Sequence, residues 1–519
     1  MSSRALVIGI TRLGDLIQSE PLIRALRSHA GFNSVDLLIE RSFVEIASEL
    51  SSVDDIVCID FEDTLRPLSV RSDRLPLEAF ARIVKRMDTA QYDRVFNLTH
   101  SRPSMVLAAL ASRGSEGVTL DESGYQVVRN SWLRYFFATN LARPWCAFNL
   151  VDIYVNAVAP RMPFIDRIPR LRKPLDREID SRSYTNTPHV LLHLTASQSD
   201  KQWPQPMFDA LTSMLIDRGA EVTLVGNASK DNDHRGLTNR RVNNLIGKTS
   251  IRDLIELCDS ADLMVTADSG PAHVAACRRL PVVAIEGGSA HAFETAPYGI
   301  ANLVIEPHLE NVVHRIPDKR STSAPASRVS VLTVLSAAER LLCQGESIVG
   351  SEGCTVYETA SGTYVPGVEL RPINGSHFEY EKWQSDLRKF WYNALTGDPD
   401  GKTPPSGRFS KLFDRAVDAC KQIEKVGSDS PLLTAASRNL TKAEQELDGE
   451  LLKHPPLHHV VAYLKIARSS LSGTNVSGQA QELRHLYQSL SMAGKCLEEL
   501  PEARTINVTR HNNPMEATA

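Results

Sequence analysis

Residues 265–277, VTADSGPAHVAAC, run as an apolar strand, break at Asp268-Ser269-Gly270-Pro271, and resume as an apolar helix with His273 one turn in. A break of this composition suits a bound anion. Free N–H groups at a helix start attract a diphosphate, Gly270 lacks the Cβ that would hold a ligand off the backbone, and Pro271 suits a first helical turn. Asp268 would stand at the carboxyl end of its strand, where open α/β sheets bind ligands. The competing reading is an N-cap Asp or Ser above a packed histidine.

Two more turns carry similar chemistry. In HLTASQSDKQWPQPMF (193–208), Thr195, Ser197 and Ser199 offer hydroxyl donors to phosphate oxygens, and Lys201 offers a cation to a departing pyrophosphate. Hydroxyl-rich loops and lysines also occur without any ligand. In VIGITRLGDLIQSEP (7–21), Gly9 and Gly14 bracket a tight loop and Asp15 opens a helix. There a carboxylate serves either as a partner for the helix dipole or as a general base facing a cleft. The loop is no nucleoside-triphosphate cradle, because Asp15 stands where that motif requires lysine.

Positioning three such turns requires strands that end side by side. Short β-branched runs alternating with amphipathic helical stretches predict α/β architecture with parallel sheets. One series of strands is expected at 5–10, 35–40, 55–60 and 93–99, and a second at 189–195, 221–226, 262–267, 282–286 and 303–306. The Pro- and Arg-rich stretch between them marks a boundary. The expected division is a first domain over 1–160, a linker over 161–188, a second domain over 189–345, a mainly helical extension over 346–505, and a frayed tail over 506–519. A small hairpin is expected at 354–372, around Ser361-Gly362. In the extension, Trp383, Leu387, Phe390, Trp391 and Leu395 share a helical face, as do Phe409, Leu412, Phe413, Ala416, Val417 and Cys420. Such stripes are expected to be bundle core rather than a ligand box.

Composition names no partner. With 58 Lys+Arg against 62 Asp+Glu the net charge of −4 is too balanced for a nucleic-acid wrapper. The eight cysteines form no Cys-x-x-Cys pair, which suits a reducing compartment. No run approaches the roughly 18 apolar residues of a membrane span, so a soluble cytoplasmic protein is expected. The histidines of KHPPLHH (453–459) lack neighbouring ligands at metal spacing.

Taken in order, RALVIGITRLGDLIQSEPLIRAL, YDRVFNLTHSRPSMVLAALAS, FNLVDIY, SDKQWPQPMF, VTLVGNASKD, NNLIGKTSIRDLIELCDSADLMVTADSGPAHVAA, PVVAIEGG and APYG resemble glycosyltransferase family nine, the bacterial heptosyltransferases of lipopolysaccharide core assembly. The resemblance covers about residues 4–345 and is strongest over 244–276. It implies two facing Rossmann-like domains (GT-B), with an acceptor on the first and a nucleoside diphosphate sugar, as co-substrate rather than cofactor, on the second. It also implies inverting transfer of a heptose from an ADP-heptose-like donor, without an essential metal. Asp15 matches the family's general base, and Lys201 its phosphate-binding lysine. Thr195 and Ser197 match the hydroxyl neighbours of that lysine, while Asp268, Ser269, Gly270 and His273 match the donor signature.

The chain departs from the family after VVAIE, where Glu286-Gly287-Gly288-Ser289-Ala290-His291 replaces the usual Gly-Pro-Thr and leaves the donor sugar open. His100, Ser101 and Arg102 are expected in a loop near either substrate or on the surface. The extension lies outside the resemblance. The basic linker residues Arg161, Arg167, Arg170, Arg172 and Lys173 suggest either a solvated spacer or a peripheral contact with an anionic membrane carrying a lipid-linked acceptor. Saccharide, lipid-linked and protein acceptors all remain open. A non-catalytic sugar-nucleotide-binding scaffold that uses the extension for partners is the alternative. A sugar-nucleotide epimerase lacks a second set of acid/base carboxylates in the expected turns.

Overall fold

A computed structural model of the chain describes residues 3–497 apart from 11, 61–73, 112–113, 174–186, 197, 229–239, 289, 309–325, 344–346, 375–377, 398–407, 427–431 and 473–474. The first domain contains β1 (Arg4–Ile8), α1 (Leu13–Gln18), α2 (Glu20–Ser28), β2 (Ser34–Glu40), α3 (Val44–Glu49), β3 (Ile56–Ile59), α4 (Arg74–Ala90), β4 (Arg94–Asn97), α5 (Arg102–Ala111), β5 (Ser115–Leu120), β6 (Gln126–Arg129), α6 (Ser131–Thr139) and α7 (Leu150–Asn156). Its sheet has the order β3-β2-β1-β4-β5-β6, parallel except for the last pair. The apolar runs make these strands because both sheet faces are covered, and β1 is buried from Ala5 to Ile8. β5 and β6 escape the expected strand series: Ser115-Glu116-Gly117 breaks the hydrophobic run, and only the turn at Asp121–Gly124 signals the hairpin.

After the linker helix α8 (Phe164–Arg167), the second domain contains β7 (His189–His193), α9 (Gln205–Asp217), β8 (Glu221–Val225), β9 (Val242–Asn244), α10 (Ile251–Ser260), β10 (Leu263–Ala267), α11 (Gly270–Cys277), β11 (Val282–Ile285), α12 (Ala292–Thr295), β12 (Leu303–Pro307), α13 (Val331–Cys343), β13 (Cys354–Ser361) and β14 (Val368–Asn374). The sheet order is β14-β13-β12-β11-β10-β7-β8-β9. The expected hairpin is present as β13 and β14, but it is no free-standing piece. It pairs antiparallel with the edge of β12, so the second sheet continues past residue 345.

The extension consists of α14 (Phe378–Thr396), α15 (Arg408–Lys425), α16 (Leu432–Leu451), α17 (His458–Ser469) and α18 (Val476–Ala493). Its aromatic stripe is core: Trp383, Leu387, Phe390 and Trp391 are buried. That core is shared with the first domain. Trp391 stands edge-on to Tyr135 of α6 with centroids 5.1 Å apart, His459 Nε2 lies 3.2 Å from the Tyr135 carbonyl oxygen, and the Val128 N–H donates to Ser470 Oγ at 3.0 Å. His454 packs edge-on against Phe409, which gives two of the KHPPLHH histidines a packing role.

The linker is folded where it is described. Arg167 is fully buried and its Nη1 reaches Asp152 Oδ1 at 3.2 Å. Lys173 pairs with Asp259, and Arg172 donates to the Val53 carbonyl. A solvated spacer is therefore the wrong description of residues 161–173, and Arg167 cannot face a membrane. Asp152 collects partners from four segments: Arg167, the Tyr298 hydroxyl at 2.7 Å, the Val368 N–H at 3.1 Å, and Arg388 of α14 at 3.5 Å. Among the described residues no helix is long and apolar enough to cross a membrane.

Candidate functional site

The carboxyl ends of the two sheets face each other through α1 and α11. Gly14 and Gly270 set how closely they approach. A Cβ on Gly14 would stand 2.9 Å from the His273 ring, and one on Gly270 would overlap Leu13. The expectation that Gly270 lets a ligand onto the backbone is thus corrected: Leu13 of the first domain occupies that space, because both glycines lie at one interdomain seam.

Asp15 sits in the first turn of α1, half-buried. Loss of solvent pushes its carboxyl up to about 6, with Arg12 and Arg143 pulling it down and Glu294 and Asp268 adding to the rise. Residues from both domains therefore act on this one carboxylate. A group that titrates near neutrality suits proton transfer.

On the second domain, Lys201 Nζ donates to Asp268 Oδ2 at 2.6 Å, with both side chains nearly buried. Lys201 comes from the loop after β7 and Asp268 from the end of β10, neighbouring strands in the sheet. The loop is braced by Gln202, which accepts from the Ala196 N–H and donates to the Leu194 carbonyl. Ser269 takes the N-cap position of α11, yet its hydroxyl does not cap the helix. It joins Thr266 at 3.0 Å and His193 Nδ1 at 3.2 Å. Thr195 Oγ1 meets the other ring nitrogen of His193 at 3.2 Å and accepts from the Asn227 N–H. Burial pushes His193 down to about 4, which keeps the ring neutral and able to link the two hydroxyls. Ser197 lies outside the described residues.

His273 is buried and faces the first domain, 3.4 Å from Gln18 Nε2. Desolvation holds it near 4, and its Nδ1 has no hydrogen-bond partner among the described residues. His100 contacts the Asn140 side chain at 2.8 Å and packs on Phe136 and Phe137. It is a packed residue near the cleft rather than a free surface group.

Sequence reasoning missed a buried ion pair across the seam. Arg143, between α6 and α7, grips Glu294 of α12 through Nε at 2.9 Å and Nη2 at 2.8 Å. The Glu294 side chain is 1% exposed. The only signal for it was a carboxylate inside the apolar run AHAFETAPYG. The departure at Glu286 places a fully buried carboxyl beside the Lys201–Asp268 pair. Burial, with Asp268 and Glu306 nearby, drives its carboxyl well above the usual range, and its Oε1 lacks a partner among the described residues.

Residues 80–315 match the family model "Glycosyltransferase family 9 (heptosyltransferase)". Lipopolysaccharide heptosyltransferase 3 of Escherichia coli is 24% identical over 54% of this chain and 82% of its own length. Lipopolysaccharide heptosyltransferase 2 of Salmonella typhimurium is 22% identical over 67% of this chain and 99% of its own. Among solved structures, a family 9 glycosyl transferase from Veillonella parvula superposes with a TM-score of 0.50 at 17% identity, covering 66% of this chain and 98% of that one. The chain is a family 9 glycosyltransferase-like protein, with two facing Rossmann-like domains of GT-B type and a helical region after them.

Proposed function

We propose that this family 9-like chain is an inverting glycosyltransferase that moves a sugar, an ADP-heptose-type heptose, from a nucleoside diphosphate to a hydroxyl of a saccharide or protein acceptor. The observation that carries the reading is Asp15: a half-buried carboxylate raised to about 6, at a seam whose other wall holds Lys201 and Asp268. Asp15 takes the proton of the acceptor hydroxyl as its oxygen attacks the anomeric carbon. The bond from that carbon to the diphosphate breaks, and the electron pair leaves with the diphosphate. Lys201 meets the charge that develops there. The cation is the lysine, so we read the transfer as metal-independent. A lipid-linked acceptor would place the reaction at the inner face of the cytoplasmic membrane.

The test is a thermal-shift panel with ADP, UDP, GDP and CMP, followed by consumption of ADP-heptose. A nucleotide held at about 100 times its Kd adds about 2.7 kcal/mol of stability. Selective stabilisation by one diphosphate that Lys201→Ala abolishes, together with turnover that Asp15→Asn abolishes, is the expected result. Silence across the panel would favour the non-catalytic scaffold instead.

A further inference from the structure

We infer that the helical extension is a positioning element of the site, because α14 fixes residues 143–148 and so aims Arg143 across the seam at Glu294, beside Asp15. The inference rests on the proposed function for what the positioned site does, but not for the mechanical link itself.

Residues 143–148 form one short 3-10 turn, Arg143–Trp145, followed by extended chain. Tyr135 of α6 holds one side of this stretch, its hydroxyl accepting from the Ala147 N–H at 2.8 Å, and α14 holds the other. Gln384, itself 2% exposed, donates from Nε2 to the Pro144 carbonyl at 2.9 Å. Arg388 donates from Nη1 to the Ala147 carbonyl at 3.2 Å and lies over the Phe148 ring, 4.8 Å from its centroid. Trp383 packs on Trp145 with centroids 5.8 Å apart. α14 is anchored in turn by Trp391 against Tyr135 and by Arg388 near Asp152. Extension side chains thus hold the Pro144 peptide, one residue from Arg143, and the Ala147 peptide beyond Trp145.

Arg143 then makes the two-pronged bond to Glu294, a geometry that a fixed guanidinium satisfies and a wandering one does not. The pair joins the two domains, and its members oppose each other at Asp15: Glu294 favours the protonated carboxyl and Arg143 the carboxylate. Loosening Arg143 leaves the Glu294 charge unbalanced and moves the base away from its working form.

The test compares the full-length chain with Gln384→Ala and with the double variant Trp383→Phe/Gln384→Ala. It has two readouts. Without substrate, amide hydrogen exchange over residues 292–296 reports the latch, and exchange there should rise by about tenfold or more if α14 holds Arg143. With ADP-heptose, the acidic limb of the turnover profile should move upward by roughly one pH unit, while the Kd for ADP stays within about twofold. Arg143→Gln should move the limb in the same direction, Glu294→Gln should move it down, and Arg143→Lys should restore part of the shift. Unchanged exchange at 292–296 in both α14 variants overturns the inference. Faster exchange in a chain that neither binds ADP nor consumes ADP-heptose supports the latch and overturns the proposed reaction.

Discussion

The side chain of Leu13 in the first domain rests on the bare α-carbon of Gly270 in the second, so protein fills the space that a helix-start glycine offers to a ligand. The two domains touch at α1 and α11, next to the residues assigned to chemistry. Gly270→Ala should therefore force the seam apart and destabilise the chain by about 1–3 kcal/mol, the usual range for overpacking. Adding Leu13→Ala should recover part of that loss. Urea unfolding of the two single variants and the double variant measures it, and strictly additive losses would refute the contact.

Asp15 predicts a pH dependence of two kinds. If Asp15 is the base proposed above, turnover should fall as pH drops through about 6, where its carboxyl becomes protonated. Stability runs the other way. An unfolded aspartate ionises near 3.9, so between about 4 and 6 the folded chain holds a proton that the unfolded chain has lost, and stability declines as pH rises. Above that window the full cost is present, at most about 3 kcal/mol. Asp15→Asn should accordingly raise Tm at pH 7.5, with no gain at pH 4. A flat difference across that range would refute the shifted carboxyl.

For Lys201, replacement by Met removes a charge-assisted contact of the kind worth about 1.5–3 kcal/mol. The Kd for ADP should rise by roughly 10- to 100-fold. Asp268→Asn should leave diphosphate affinity equal or tighter, since it releases Lys201 from its 2.6 Å partner. Calorimetric titration of ADP into both variants decides this, and a weaker Asp268→Asn complex would show that Asp268 itself contacts the nucleotide.

The buried carboxylate of Asp152 serves four segments. Asp152→Ala should leave Arg167 as an unpaired buried charge and cost about 3–5 kcal/mol. Replacing both with apolar residues, Asp152→Leu/Arg167→Met, should cost less than the single change. Chemical denaturation checks the order, and a milder single variant would refute it.

Much of this architecture is legible in the chain because the signals are local. Buried parallel strands such as Leu263–Ala267 announce themselves as unbroken apolar runs, and Asp268 to Pro271 mark a turn by residue type alone. The features that escaped are pairings over distance. Arg143 and Glu294 are 151 residues apart, and neither carries a periodic pattern. The 354–372 hairpin is visible in the sequence, but its place on the edge of β12 depends on an antiparallel register that no local signal encodes. Gly270 was misread for the same reason, because its neighbour Leu13 belongs to the other domain.

The shared core has a consequence for biosynthesis. Tyr135 waits for His459, which follows it by 324 residues, so at about 5–20 residues per second the ribosome leaves that aromatic face uncovered for roughly 15–65 s. During this interval Trp132, Tyr135 and Phe148 lack the helices that cover them. A premature stop before residue 378 would therefore release a product whose aromatic face, including Trp132, Tyr135 and Phe148, lacks the helices that bury it.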